Sequence, residues 1–165
     1  MANVEFHDYS IKVKEAMSDA LIAGLYEVAG ELENMTIDNS RQGHKYAGKF
    51  ATQLWDHKVD EDNLEAHVGS EHEAAYWEEF GTGEHALHKD GRKGWWIYVD
   101  GQDSGSGGEV YTEEEAKAIA ASMKDHGIPA HATNGLEPNR PLFRAFQSAE
   151  SVVEAIFEAK LKGMD

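Results

Sequence analysis

Tyr76 to Ala86 reads YWEEFGTGEHA. Its second half has the spacing G-x-G-x-x-A, by which a dinucleotide-binding turn brings backbone close to a pyrophosphate. A phosphate cradle of that kind follows a strand and opens a helix, because the helix N-terminus supplies the amide donors and the dipole. Ala86 is instead followed by LHKDGRKG, with two glycines in eight residues and no apolar periodicity. The surrounding βαβ unit is missing too. The glycines therefore read as architecture. Ala74 to Phe80 forms two helical turns, Gly81 ends them with a positive φ, and Gly83 turns the chain again beside Thr82. No cofactor is expected.

Upstream of this turn, KFATQLW places Phe50, Thr52 and Leu54 on one face and LEAHVGS places Leu64, Ala66 and Val68 on one face. With DHKVDEDN as the turn between them, the pair predicts an antiparallel hairpin. TIDNSRQGHKYAG (Thr36 to Gly48) is polar and glycine-punctuated and reads as a loop. From Tyr9 to Met35, Val13, Met17, Leu21, Leu25, Val28 and Leu32 recur at helical spacing, predicting a long amphipathic helix. Ala16, Ala20 and Gly24 lie four apart on it, which allows close approach of an element from the same subunit or from a neighbour.

Downstream, KGWWIYVDG is the strongest strand, and Glu109 to Tyr111 is placed to pair back on it after the flexible GQDSGSGGE. Thr112 with Glu115 is a capping box opening a helix that ends at Gly127, and IPAHAT is a short strand. From Pro141 onward, Leu142, Ala145, Phe146, Ala149, Val152, Val153, Ile156 and Leu161 predict a second long amphipathic helix. The expected fold is α+β: one domain over 1–165, its mostly antiparallel sheet packed by long N-terminal and C-terminal helices, with a strand–helix–strand insertion at about 95–133.

At 165 residues, 41% hydrophobic and 10% aromatic, the composition is that of a folded domain. No apolar run reaches the roughly 20 residues of a membrane span, and MANVEFHDYS has neither the basic nor the apolar region of a secretory signal. The chain has no cysteine, so disulfides, thiolate metal sites and cysteine nucleophiles are excluded. Its formal charge of −16 repels phosphate backbones, so binding of nucleic acid by counterion release is not expected. Solubility, mimicry of nucleic acid, or lining a passage through which nucleic acid slides remain as explanations.

Catalytic and metal chemistry find little footing. None of the spacings among the nine histidines gives three convergent ligands, and His85 with His88 is the one pair that merits testing. There is no nucleophile elbow. Glu78 and Glu79 are adjacent on a helix, so they diverge rather than pair as acid and base. The Trp95–Trp96 pair, near Tyr76, Trp77 and Phe80, reads as core or interface packing ahead of a sugar or peptide platform.

The same residues carry a resemblance. AAYWEEFGTGEH resembles the signature of a tail-component family of long-tailed bacteriophages, an aromatic-rich turn followed by an acidic residue, an aromatic and Gly-Thr. NGLEPNRPLFRAF (Asn134 to Phe146) resembles that family's second signature, a Pro-x-x-Pro-like turn leading into the C-terminal helix. The order of the two motifs and of the flanking elements is similar as well. The resemblance implies a non-enzymatic virion protein of the tail or neck, acting in tail completion or head–tail joining. By resemblance it forms a homo-oligomeric ring, a hexamer, around the DNA channel, against neck, tail-terminator or tail-tube proteins. The resemblance further implies that it is made in the host cytoplasm, meets DNA only in passage and meets no membrane. The implied assembly motif is Glu79, Phe80, Gly81, Thr82 and Gly83 with Pro138, Asn139, Arg140, Pro141 and Phe143. The alternative is an acidic inhibitor that mimics nucleic acid and occupies a host enzyme.

Overall fold

The computed structural model describes residues 10–43, 45–100 and 108–163. Along the chain run α1 (Ser10–Arg41), α2 (Lys45–Leu54), β1 (Asp56–Asp60), β2 (Glu65–Gly69), α3 (Glu73–Phe80), a single 3₁₀ turn (Gly83–His85), β3 (Trp96–Val99), α4 (Glu113–Asp125), β4 (Ala130–Thr133), α5 (Pro141–Ser148) and α6 (Glu150–Lys162). The fold is α+β, as expected, with helices predominant. Its strands form two separate two-stranded antiparallel sheets, β1–β2 and β3–β4, where a single sheet was expected. Most of GQDSGSGGE and the expected helix start at Tyr9 lie outside the described residues.

The spine is α1, 32 residues long. Val28 and Leu32 pack with Ala149, against Val68, Val153, Ile156 and Phe157. One turn further, Ile37 joins Ala51, Leu54, Trp55 and Ala75, with Ala74 and Leu142 against them. An ideal Cβ on Gly24 would stand 2.5 Å from the Phe157 ring, so the close approach that this glycine permits is made by α6 of the same subunit. Residues 14–19 are all exposed, and Met17 is 46% exposed, so this stretch of the helix lies off the body.

Three readings are corrected. The segment from Thr36 to Arg41 is helix, not loop. Thr36 and Ser40 face inward and are satisfied: Thr36 Oγ1 donates to the Leu32 carbonyl at 2.7 Å, and Ser40 Oγ accepts from Trp55 Nε1 at 2.7 Å. KFATQLW is not a strand, since Lys45–Leu54 is helical and buries Ala51 and Leu54, followed by Trp55. The first strand of the hairpin is therefore DHKVD, read before as the turn, with Asp56 opposite Gly69 and Asp60 opposite Glu65. Leu64 leaves the apolar face and sits exposed in the turn at φ 55. The C-terminal helix is broken at Ala149, where the amide reaches back only to Phe146 and Ser148 Oγ takes the Arg144 carbonyl at 2.7 Å.

The strand–helix–strand unit has the expected elements. Trp96 pairs with Thr133 and Val99 with Ala130, and Trp95 bridges Tyr111. The capping box is complete, with Glu115 N bonded to Thr112 Oγ1 and the Glu115 carboxylate accepting from Thr112 N at 3.0 Å. The two tryptophans serve different neighbours: Lys117 lies over Trp95, while Trp96 lies beneath Arg92 and against Gly83.

Candidate functional site

The two signature segments, more than fifty residues apart in sequence, meet in a single joint. Thr82 and Glu84 donate their amides to the carbonyls of Leu136 and Asn134, each at 2.9 Å, and Leu136 N donates back to Thr82 Oγ1 at 2.9 Å. The contact is backbone against backbone, and it explains the glycines. Gly81 has φ 72 and ψ 176, a region only glycine occupies readily. A Cβ there would lie 2.8 Å from the Leu136 carbonyl, and one on Gly83 (φ 60) would lie 2.2 Å from the Asn134 carbonyl. Side chains at either place would force the segments apart.

The amides of Gly81, Thr82, Glu84, His85 and Ala86 all donate to protein carbonyls. Five donors that a phosphate would need are committed to the fold. The helical piece that begins at Gly83 is three residues long, too short to present a dipole.

Below this contact sits a buried acidic pair. Glu78 and Glu79 are 2% and 7% exposed. They diverge, as neighbours on a helix do, and each serves a different part of the PNRP turn. Glu79 spans the start of α5: one carboxylate oxygen accepts from Leu142 N at 2.9 Å and the other from Phe143 N at 3.1 Å. These amides lack partners within the helix, and the positive end of the helix dipole favours the anion. Arg140, the residue before α5, is left-handed (φ 56) and has no capping side chain of its own. Glu79 supplies the cap from another element. Glu78 receives the turn through its main-chain carbonyl, from Asn139 N at 2.9 Å and Arg140 N at 3.1 Å, and through its carboxylate, from Asn139 Nδ2 at 3.1 Å.

α1 closes the joint from the far side. Asn39 donates Nδ2 to the Pro141 carbonyl at 3.1 Å, and its own carbonyl accepts from Asn139 Nδ2 and Arg144. Arg144 also donates to Asn139 Oδ1 at 2.9 Å. Among the described residues, Nε of both Arg140 and Arg144 is buried without a hydrogen-bond partner, which carries a local cost.

The residues singled out by sequence thus divide by role. Glu79, Gly81, Thr82, Gly83, Pro138, Asn139, Arg140 and Pro141 are built into the joint, Pro138 by its Cδ against Gly81 and Pro141 fully buried at the start of α5. The side chains of Phe80 and Phe143 lie toward the surface. Phe80 meets Tyr76 and His88 in tilted ring contacts at centroid distances of 4.8 and 4.9 Å, and Phe143 carries the Arg140 guanidinium at 3.6 Å. Tyr76, Trp77, Leu87, Phe143 and Phe146 are each 39–52% exposed. His85 and His88 do not converge, since His85 faces Glu137 and Asn134 while His88 lies on Phe80. Asn39 and Arg144 escaped the sequence reading, for Asn39 fell in the supposed loop and Arg144 looked like the polar face of a helix.

Among electrostatic effects near the joint, Glu84 stands out. The Gly94 amide, then the Asn134 side chain, hold its carboxyl below the ordinary glutamate range. Comparison with known protein families, curated proteins and solved structures finds no match for this chain.

Proposed function

We propose that the chain is a non-enzymatic structural subunit of a bacteriophage tail or neck that assembles head-to-tail into a ring around the DNA channel. One observation carries this reading. The two segments that resemble the tail-component signatures interlock around Glu79 and the start of α5, so the residues behind the resemblance are a fold-setting joint. The Glu79 carboxylate, the Thr82 and Glu84 amides and the Asn39 and Asn139 side chains are occupied in holding elements together.

The apolar surface supports assembly. Among the described residues, eight of the thirteen buried hydrophobic side chains are alanine, while large apolar side chains beside the joint stay exposed. A monomer that keeps its aromatics outside offers them to a neighbour. In a closed ring, the patch on one copy meets a different surface on the next. The charge of −16 suits a channel wall that must not hold passing phosphates. No helix among the described residues is long and apolar enough to cross a membrane.

Electron microscopy and native mass spectrometry of the purified full chain, with labelling of this chain in phage particles, test the reading. The expected result is closed rings of one copy number and label at the head–tail junction or tail top. A protein that stays monomeric at every concentration, is absent from particles and competes with DNA for a basic enzyme would instead be the nucleic-acid mimic.

A further inference from the structure

Away from the joint, α1 and the first hairpin gather three groups that the joint does not use. Glu33 lies on α1, and Asp56 and His57 open β1. Each offers one donor atom, and the three donors lie within 4.8 Å of one another. Neighbouring strand residues ordinarily point to opposite faces, so the convergence of Asp56 and His57 has a cause. Asp56 folds its carboxylate back to accept from the His57 main-chain amide at 2.8 Å, which brings it alongside the imidazole. The imidazole in turn meets the Glu33 carboxylate through Nδ1.

The mounting is rigid. Trp55, immediately before Asp56, is 5% exposed and donates Nε1 to Ser40 on α1 at 2.7 Å. Ser40 lies seven residues beyond Glu33, about two turns along the same helix face. One helix therefore fixes both the first donor and the strand start that carries the other two. The His57 and Glu33 side chains are 30% and 21% exposed, so they are partly shielded yet reachable. Asp56 borders a groove of about 400 Å³, which opens a path to the third donor. Among the described residues, no lysine or arginine pairs with Glu33 or Asp56.

We propose that Glu33, Asp56 and His57 form a binding site for a divalent transition-metal ion of the Zn²⁺ class. One imidazole nitrogen with two carboxylates is a mixed nitrogen–oxygen donor set. Zn²⁺ accepts it, whereas Mg²⁺ and Ca²⁺ favour sites made of oxygen alone. Bonds of about 2.0–2.2 Å put donors around a tetrahedral ion roughly 3.5 Å apart, so side-chain adjustments of about 1 Å suffice. Binding places the Nδ1 lone pair on the metal and releases to solvent any proton held between His57 and Glu33. Three protein donors leave the fourth position to water. The ion ties the hairpin to the spine and stabilises the subunit by mass action.

Isothermal titration of the full chain with ZnCl₂, and separately with MgCl₂, tests the site, with thermal melting as a second readout. The expected result is one Zn²⁺ per chain, bound at least about 100-fold tighter than Mg²⁺, and a melting midpoint that rises with Zn²⁺. His57→Ala and Glu33→Gln should each weaken Zn²⁺ binding tenfold or more. His131→Ala should leave it unchanged, since His131 pairs with Asp100 elsewhere on the surface. Should His57→Ala fail to fold, Glu33→Gln, which keeps the side chain's size, carries the test alone. Zn²⁺ binding that survives Glu33→Gln, or that Mg²⁺ matches, overturns the site in favour of general attraction to an acidic surface.

Discussion

Glu79 shows how one side chain decides the geometry around it. Its two oxygens hold the first free amides of α5, so removing the charge removes a cap that α5 cannot make for itself. Glu79→Gln keeps the shape but turns an N–H toward a helix N–H. Urea unfolding should record a loss of about 1–3 kcal/mol, with a larger loss for Glu79→Ala. Gly81→Ala should cost about 1–3 kcal/mol through backbone conformation alone, and more through the contact with Leu136, read as a lowered thermal midpoint. The sequence named these residues by turn chemistry and by resemblance. It carried no sign that Glu79 caps α5, because the cap and its helix are more than sixty positions apart. Glu33, Asp56 and His57 were hidden for the same reason, being gathered by a helix and a strand whose contact no local spacing announces.

Among the elements, α3, α4 and the β3–β4 pair were legible because local rules determine their ends: a glycine stop, a capping box, and an aromatic strand between glycines. α2 was misread because Phe50, Thr52 and Leu54 alternate while Ala51, Leu54 and Trp55 follow helical spacing. Over so short a run the two periods cannot be separated, and burial of Trp55 decides. The last turns of α1 were lost because Thr36 and Ser40 look solvated and are instead buried and bonded. For α4, bonds from the Thr112 amide and then its hydroxyl hold the Glu115 carboxyl below its ordinary range. A folded-state value below the unfolded one stabilises above the unfolded value, and the stabilisation is lost as pH falls through the lower one. Wild type should therefore lose stability more steeply than Glu115→Gln between about pH 5 and pH 3, as thermal melts at each pH would record. At the α1–α6 contact, Gly24→Ala should cost about 1–3 kcal/mol despite the better helix propensity of alanine. Adding Phe157→Leu should recover part of that loss in a double-mutant cycle of urea unfolding.

For the whole molecule, subunit stability and assembly should separate. Tyr76→Ser combined with Phe146→Ser removes side chains that are 50% and 52% exposed. It should shift subunit stability by no more than about 1 kcal/mol while abolishing rings in size-exclusion chromatography with light scattering. A pair that melts as wild type and still forms rings would move the interface elsewhere. Closure of the joint also sets a timetable for the newborn polypeptide. Asn39 meets Pro141 and Arg144 across more than a hundred positions, so the spine cannot finish its packing while the ribosome is still making the middle of the protein. Closure comes late and over long range, which slows folding. It also screens the product: a molecule released before Arg144 cannot close the joint.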